Sequence, residues 1–410
     1  MVLNFIWIAF FLIAFIMALV RMLVFGDTDI FKTLVDGIFD AAGTSVQLSI
    51  GLIGVMSLFL GFMNIGEKAG AVNFMSRIVG PFFNKLFPEV PKNHPSVGHM
   101  MMNFSANLLN LDNAATPFGL KAMQSLHELN PDKDRASNSQ IMFMVLHASG
   151  LTLIPISVIA QRAIMKSSDP TLIFIPCMIA TFAATVTALV AVSIRQKINL
   201  FNRVVILWIG GLSALLVALI IYLRTYPGRI DTFSKVVSNG LILFLFAAFI
   251  IGGLVKKINV YEAFIEGAKG GFEIAVKIIP FLVGMLVAIS VLRNCGVFDY
   301  IIQGFSWLFG SMGLNTDFVK ALPTALMRPL SGSASRAMMI DTMKQYGPDS
   351  FPALLSGVMQ GSSDTTFYIV ALYFGSVGIR KTRYAIPAAL LADLAGIVTA
   401  IAISYLFFHR

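Results

Sequence analysis

A set of apolar runs constrains this chain more than any other feature. They cover residues 2–20, 45–63, 172–194, 204–223, 240–255 and 384–408. Each reaches or approaches the roughly 20 residues that an α-helix needs to cross a bilayer. A transmembrane β-barrel would instead alternate apolar and polar residues in segments of about 10. Continuous runs predict an all-α polytopic membrane protein.

Composition agrees with this reading. Of 410 residues, 57% are hydrophobic and 12% charged, and the mean hydropathy is +0.81. Soluble domains run at roughly 45–50% apolar and about 25% charged. Half the usual charge cannot cover a soluble surface of this size. The N-terminus, MVLNFIWIAFFLIAFIMALV, has no positive residue before its apolar core and no small-residue cleavage site. It reads as a retained span rather than a signal peptide. The net charge of +9 comes mostly from Lys and Arg in loops, as the positive-inside rule expects. It is not a nucleic-acid footprint. Cys177 and Cys295 lie in or beside apolar runs and far apart, with neither a disulfide framework nor metal spacing.

The chain also repeats itself. DGIFDAAGTSVQLSIGLIGVM (36–56) pairs with YEAFIEGAKGGFEIAVKIIPFLVGM (261–285), each an amphipathic lead-in to an apolar helix. IPCMIATFAATVTALVAVSI (175–194) pairs with IPAALLADLAGIVTAIAISY (386–405), each a last helix opened by Ile-Pro and rich in small residues. Between these anchors lie NLLNLDNAATPFG (107–119) in one half and MRPLSGSASRAMM (327–339) in the other. NPD or GPD follows, then LHASGLTLIP (146–155) or MQGSSDTTFYIV (359–370). The same order of matches predicts a duplication, with domains 1–200 and 201–410 and one extra linking span at 204–223. Arg195, Lys197 and Arg203, then Lys256 and Lys257, then Arg380, Lys381 and Arg383 mark basic loops as cytoplasmic. The last helix of the first half then ends inside, while its counterpart begins inside. The halves are therefore expected to be inverted, although Arg224, Arg229 and Lys235 depart from the pattern. Inverted repeats with interrupted helices are a signature of secondary transporters. Backbone that leaves a helix at membrane depth must be buried in protein or face a wet cavity.

Three polar stretches interrupt the apolar background. Pro117 is expected to stop a helix through Thr116, with Asn113 and Thr116 capping a half-helix that starts near Pro117. That predicts a re-entrant hairpin whose tip carries Asn110, Asp112, Asn113 and Thr116, with Asn107 on its approach. The tip is a solute or ion site, or else a solvated loop between two spans. RPLSGSASRAM is its partner in the second half. There Ser331, Ser333 and Ser335 let backbones approach, and Arg336 can fix an anionic group or pair with Asp341. Tight helix packing is the alternative. QGSSDTTF (360–367) is the strongest signal. It sets Asp364 inside an apolar helix, where an ionisable group costs at least a few kcal/mol unless it is paired or wet. Asp364 is the expected site of a coupling cation or proton, with Thr365 and Thr366 as further ligands and Gln360, Ser362 and Ser363 facing the solute. An ion pair with an arginine such as Arg336 is the alternative. Asp393, in LLADLAG, is a second intramembrane carboxylate. At the matching positions the first half offers His147, Ser149 and Thr152 and no carboxylate, and a lone membrane histidine reads first as a packing residue.

Other chemistry finds little support. There is no HExxH, P-loop or dinucleotide fingerprint. SGSAS is similar to the serine motif of rhomboid-type proteases, but no histidine stands in a matching helical context. With no nucleotide site, pumping by this chain alone would have to use an ion gradient. No catalytic residue, cofactor or metal is expected.

NLLNLDNAATPFGLKAM resembles the signature of spore maturation protein A. RPLSGSASRAMMIDTMKQYGPDSF, with GSSDTTFYIVALYFGSVGIRKTRYAIPAALLADLAG, resembles that of spore maturation protein B. The resemblance covers nearly the whole chain and implies a fused form of the two. Each half also resembles the gate, or nucleoside-recognition, domain of concentrative nucleoside transporters and of ferrous iron transport protein B. This implies paired hairpins and unwound helices around a central site. It does not name the solute, because no nucleoside-contacting motif matches residue by residue. The expectation is a secondary transporter in the bacterial inner membrane. It would move a nucleoside-like solute or small anionic metabolite, coupled to protons or sodium. The expected partners are the solute, the ion, the bilayer and, in a homo-oligomer, a second copy; nucleic acid is not among them. A non-transporting accessory or sensor protein of envelope or spore maturation is the alternative.

Overall fold

A computed structural model of the protein describes residues 2–91, 93–108, 112–152, 154–225 and 230–409. The side chains of 2–4, 76, 112–114, 223–224, 230–235, 238, 274–275 and 277–278 lie outside that description. The N-terminal part runs α1 (Val2–Phe25), α2 (Ile30–Lys68), α3 (Ala71–Leu86), α4 (Pro95–Leu108), α5 (Asp112–Glu128), α6 (Asn138–Ala148), α7 (Ile156–Ile164) and α8 (Phe174–Gln196). A connection follows through α9 (Arg203–Val205), a π turn (Ile206–Gly210), α10 (Gly211–Thr225) and α11 (Ile230–Val255). The C-terminal part runs α12 (Val260–Asn294), α13 (Val297–Ser311), α14 (Leu322–Met327), α15 (Gly332–Tyr346), α16 (Phe351–Gly361), α17 (Thr366–Ser376) and α18 (Ala385–Phe408). The described residues hold no strand, only an isolated bridge between Arg135 and Lys381.

Every apolar run named above falls in helical structure. Among the described residues, Phe5–Phe25, Ile30–Lys68, Pro170–Gln196, Arg203–Tyr222 and Ala385–Phe408 are long and apolar enough to cross a bilayer. Ile279–Asn294 and Val297–Ser311 together make a further span bent by 76°. On α1 and α10, Leu23, Val24, Leu215 and Ile221 are exposed, which suits helices whose solvent is lipid. The protein is an all-α, multi-pass membrane protein.

Two long helices form the spine. α2 and α12 pack antiparallel: Ser290 Oγ donates to the Gly37 carbonyl at 2.9 Å, Ser57 Oγ to Ala268 at 2.9 Å and Asn64 Nδ2 to Ala263 at 2.7 Å. Glycines make this approach possible. A Cβ on Gly267 would strike the Leu60 carbonyl, and one on Gly271 would strike the Ser57 backbone. Close backbones let side-chain hydroxyls and amides reach carbonyls across the interface, in place of the hydrophobic drive that lipid cannot supply. α8 and α18 also run antiparallel. The end of α8 and the start of α18 meet at the start of α6, where Gln196 Nε2 donates to the Asn138 carbonyl at 2.7 Å and Arg383 Nη1 to Asn138 Oδ1 at 3.1 Å. The basic loops flanking α8 and α18 thus share one face.

One helix start differs from expectation. α5 begins at Asp112 and runs through Pro117, so Thr116 lies inside the helix and does not cap it. Pro117 is only the sixth residue of the helix, so the ring forfeits one early hydrogen bond and the helix absorbs the loss. Residues 109–111, between α4 and α5, lie outside the described residues. Asn110 lies there too, and the side chains of Asp112 and Asn113 are likewise undescribed.

Candidate functional site

Three helices break at one place, and the third break is hydrogen-bonded to each of the other two. α6 ends at Ala148 and α7 resumes at Ile156; α14 ends at Met327 and α15 resumes at Gly332; α16 ends at Gly361 and α17 resumes at Thr366. The local causes are legible. Gly150 has φ +63, a left-handed conformation that glycine adopts at no steric cost. Ser362 Oγ returns to the Met359 carbonyl at 2.8 Å, and Asp364 Oδ1 accepts from the Thr365 amide at 2.7 Å. Such side chains compete with helical hydrogen bonding. Ser331 caps α15, its Oγ accepting from the Ala334 amide at 3.2 Å.

Unwound backbone in a membrane needs partners, and here they come from the other breaks. The Asp364 amide donates to the Ala148 carbonyl at 2.8 Å, and the Phe367 amide to Pro329 at 3.1 Å. Arg328 donates to the Ser363 carbonyl. Contact is close enough to exclude a methyl group. A Cβ on Gly150 would lie 2.9 Å from the Asp364 nitrogen, and one on Gly332 would lie 2.8 Å from Thr365 Oγ1. Gly150→Ala should therefore lose about 1–2 kcal/mol from the left-handed backbone alone, and more from the collision. Thermal unfolding checks this against Gly43→Ala, where nothing lies within 4 Å and no loss is expected.

The breaks surround a cavity of about 860 Å³. It gathers Asn107 and Thr116 from the first hairpin, Ser331, Ser333 and Arg336 from the second, and Gln360, Ser363, Asp364 and Thr365 from the third break. Residues more than 250 positions apart in sequence thus line one space. Ser335, Ser362 and Thr366 stand behind the lining. Ser335 Oγ donates to the Thr324 carbonyl at 2.8 Å and also meets Gln360 Oε1, so it orients that amide. Thr366 Oγ1 donates to Asp393 Oδ2 at 2.7 Å.

Two readings of charge change. Asp364 does not sit within a continuous helix: it lies in the break, its side chain 39% exposed, because its carboxylate caps the neighbouring amide. Asp341 is paired with Arg293 rather than with Arg336, since Arg293 approaches it from α12.

Sequence reasoning named His147 but read it first as a packing residue. It lines the cavity and joins a network that crosses the protein. Its Nδ1 lies 3.0 Å from Asn103 Oδ1 and 3.2 Å from Asn107 Nδ2; Tyr373 Oη lies 3.3 Å from the ring; and Asp364 Oδ2 lies 3.9 Å from Nε2. Asn103 Nδ2 also donates to the Ala115 carbonyl at 2.6 Å, which leaves Asn103 Oδ1 free to accept from Nδ1–H. The i, i+4 spacing of Asn103 and Asn107 on α4 was the available signal. Tyr373 gave none, because its phenol packs over Gly119, where a Cβ would collide with it. Arg328 and Tyr368 also line the cavity.

A family model described as Gate, nucleoside recognition, matches residues 49–165 and 275–380, which include all three breaks. Spore maturation protein B of Bacillus subtilis (strain 168) is 47% identical over 171 residues, 42% of this chain and 94% of that protein. Spore maturation protein A of the same organism is 39% identical over 155 residues, 38% of this chain and 79% of that protein. No solved structure matches the chain significantly. The chain belongs to the Gate, or nucleoside-recognition, family, in a fused form that unites sequence similar to spore maturation proteins A and B.

Proposed function

We propose that this protein is a secondary transporter of a small polar solute, nucleoside-like or a small anionic metabolite, coupled to protons or sodium in the bacterial inner membrane. One observation carries the reading: a polar cavity of about 860 Å³ walled by interrupted helices from both ends of the chain. Interrupted helices around a midplane site are what alternating access needs. The antiparallel α2–α12 and α8–α18 pairs support two inverted repeats that meet near residue 200. α15 and α17 begin at the cavity, where Ser331 and Thr365 are their cap residues. Half-helix N-termini carry partial positive charge, and with Arg336 they favour an anionic or strongly polar group. Asn107, Thr116, Ser331, Ser333, Gln360 and Ser363 would contact the solute. Asp364, with Thr365, would hold the coupling cation. No residue is assigned to catalysis.

The test is thermal unfolding of purified protein against nucleosides, bases, amino acids and small carboxylates, with sodium and pH varied. A solute at about 100 times its dissociation constant should add roughly 2.7 kcal/mol. Asp364→Asn should abolish that gain and leave the solute-free protein nearly as stable, since the side chain is partly exposed. The alternative, a non-transporting accessory or sensor role, predicts no hit and a tolerated Asp364→Asn.

A further inference from the structure

We propose that Asp393 is held as a protonated carboxylic acid behind the third break and is a proton-binding site of this protein, separate from Asp364. Asp393 lies in α18 and is 1% exposed. Its Oδ2 accepts from Thr366 Oγ1 at 2.7 Å. Its Oδ1 has no hydrogen-bond partner among the described residues, and neither has the Oγ of Ser363, which is 3% exposed. Ser363 Oγ and Thr366 Oγ1 both neighbour the carboxyl. Gly396, less than a turn further along α18, brings that helix against the break, where a Cβ would lie 3.1 Å from the Ser362 carbonyl. The carboxyl therefore faces residues 362–366, the segment that also forms the cavity wall.

Charge at this point is poorly supported. The charged groups that face Asp393 are Arg328 and Asp364, which act in opposite senses, and Arg328 already donates to the Ser363 carbonyl. α6 brings His147, whose ring meets Asn103, Tyr373 and Asp364. α16 and α17 contain no acidic or basic residue, and α8 none before Arg195. A carboxylate 1% exposed, with two hydroxyls beside it and no direct ion pair, is costly, and such a group neutralises instead. A proton on Oδ1 removes the charge and makes Oδ1 a donor, with Ser363 Oγ as the open acceptor. A metal cation would want a shell of oxygens, whereas Asp393 Oδ1 and Ser363 Oγ are the two side-chain oxygens without a hydrogen-bond partner here among the described residues. Ser363 also lines the cavity, so opening of the break gives this proton a route to water. Coupling of that exchange to solute movement rests on the transport reading above; protonation itself does not.

Infrared spectroscopy of the purified protein in lipid nanodiscs tests this. At neutral pH a protonated-carboxyl C=O band should be present. It should vanish in Asp393→Asn, persist in Asp364→Asn, and move to lower frequency in D2O. Asparagine has nearly the shape of the acid, so Asp393→Asn should keep its melting temperature within a few degrees. Ser363→Ala, which removes the acceptor, should shift the band without removing it. A band unchanged in Asp393→Asn would overturn the proposal, as would its loss when sodium replaces an organic cation. None of these outcomes depends on uptake, so protonation and transport can fail separately.

Discussion

Gly271→Leu should leave little or no folded protein. Gly271 is where α12 lies against the Ser57 backbone of α2, so a side chain there meets main chain and cannot be relieved by a rotamer change. Ordinary overpacking costs about 1–3 kcal/mol. Here two long helices would have to separate and give up the Ser57–Ala268 hydrogen bond with its neighbours, so a loss at or above the top of that range is expected. Gly54→Leu, on α2 with nothing within 4 Å of its Cβ, should be tolerated. Yield of monodisperse protein and melting temperature read both variants. A Gly271→Leu protein as stable as the parent would mean that α2 and α12 do not touch in the membrane.

Arg162→Met should cost about 3 kcal/mol. Arg162 is fully buried in α7. It donates to the carbonyls of Pro348 at 2.7 Å, Asp169 at 3.1 Å and Pro170 at 3.3 Å, and to Asp349 Oδ1 at 3.0 Å. It thereby clamps the loop after α7 to the loop before α16. Methionine fills much of the volume but leaves buried carbonyls unsatisfied, at about 1–3 kcal/mol each before relaxation. Asp349→Asn should cost less, because that side chain is 41% exposed. The loop also predicts a pH effect. Burial pushes the Asp349 carboxyl up, but hydrogen bonds from Ser167 and Ser168 and the Arg162 charge outweigh it, and the net shift is downward. A carboxyl depressed in the folded state stabilises fully above its unfolded value of about 3.9. That stability is lost as pH falls through the folded value. Melting temperature should therefore drop on acidification below pH 4, and drop less in Asp349→Asn.

The polar breaks show how far sequence could reach. Asp364 stood out because an ionisable group in an apolar stretch is costly to keep unless it is paired, wet or used, and Ser331, Ser333 and Ser335 because small residues there let backbones approach. His147 did not stand out, because a single histidine in an apolar segment is uninformative until its neighbours are known. Pro117 misled, because a proline in the first turns of a helix reads in sequence like a helix start. Ser335, Ser362 and Thr366 could not be separated from the cavity-lining serines and threonines, since one residue of difference in a broken helix turns a hydroxyl from cavity to core.

Run length and the scarcity of charge determined by themselves that this chain is an all-α membrane protein, because the match between apolar length and bilayer thickness is a local property. Motif order likewise disclosed the family. Only the tertiary structure decided that Asn107, His147, Arg336 and Asp364 share one cavity and that Asp393 lies behind it. Those proximities come from the crossing of breaks far apart in the chain, where each segment's unpaired amides find carbonyls that no local pattern names.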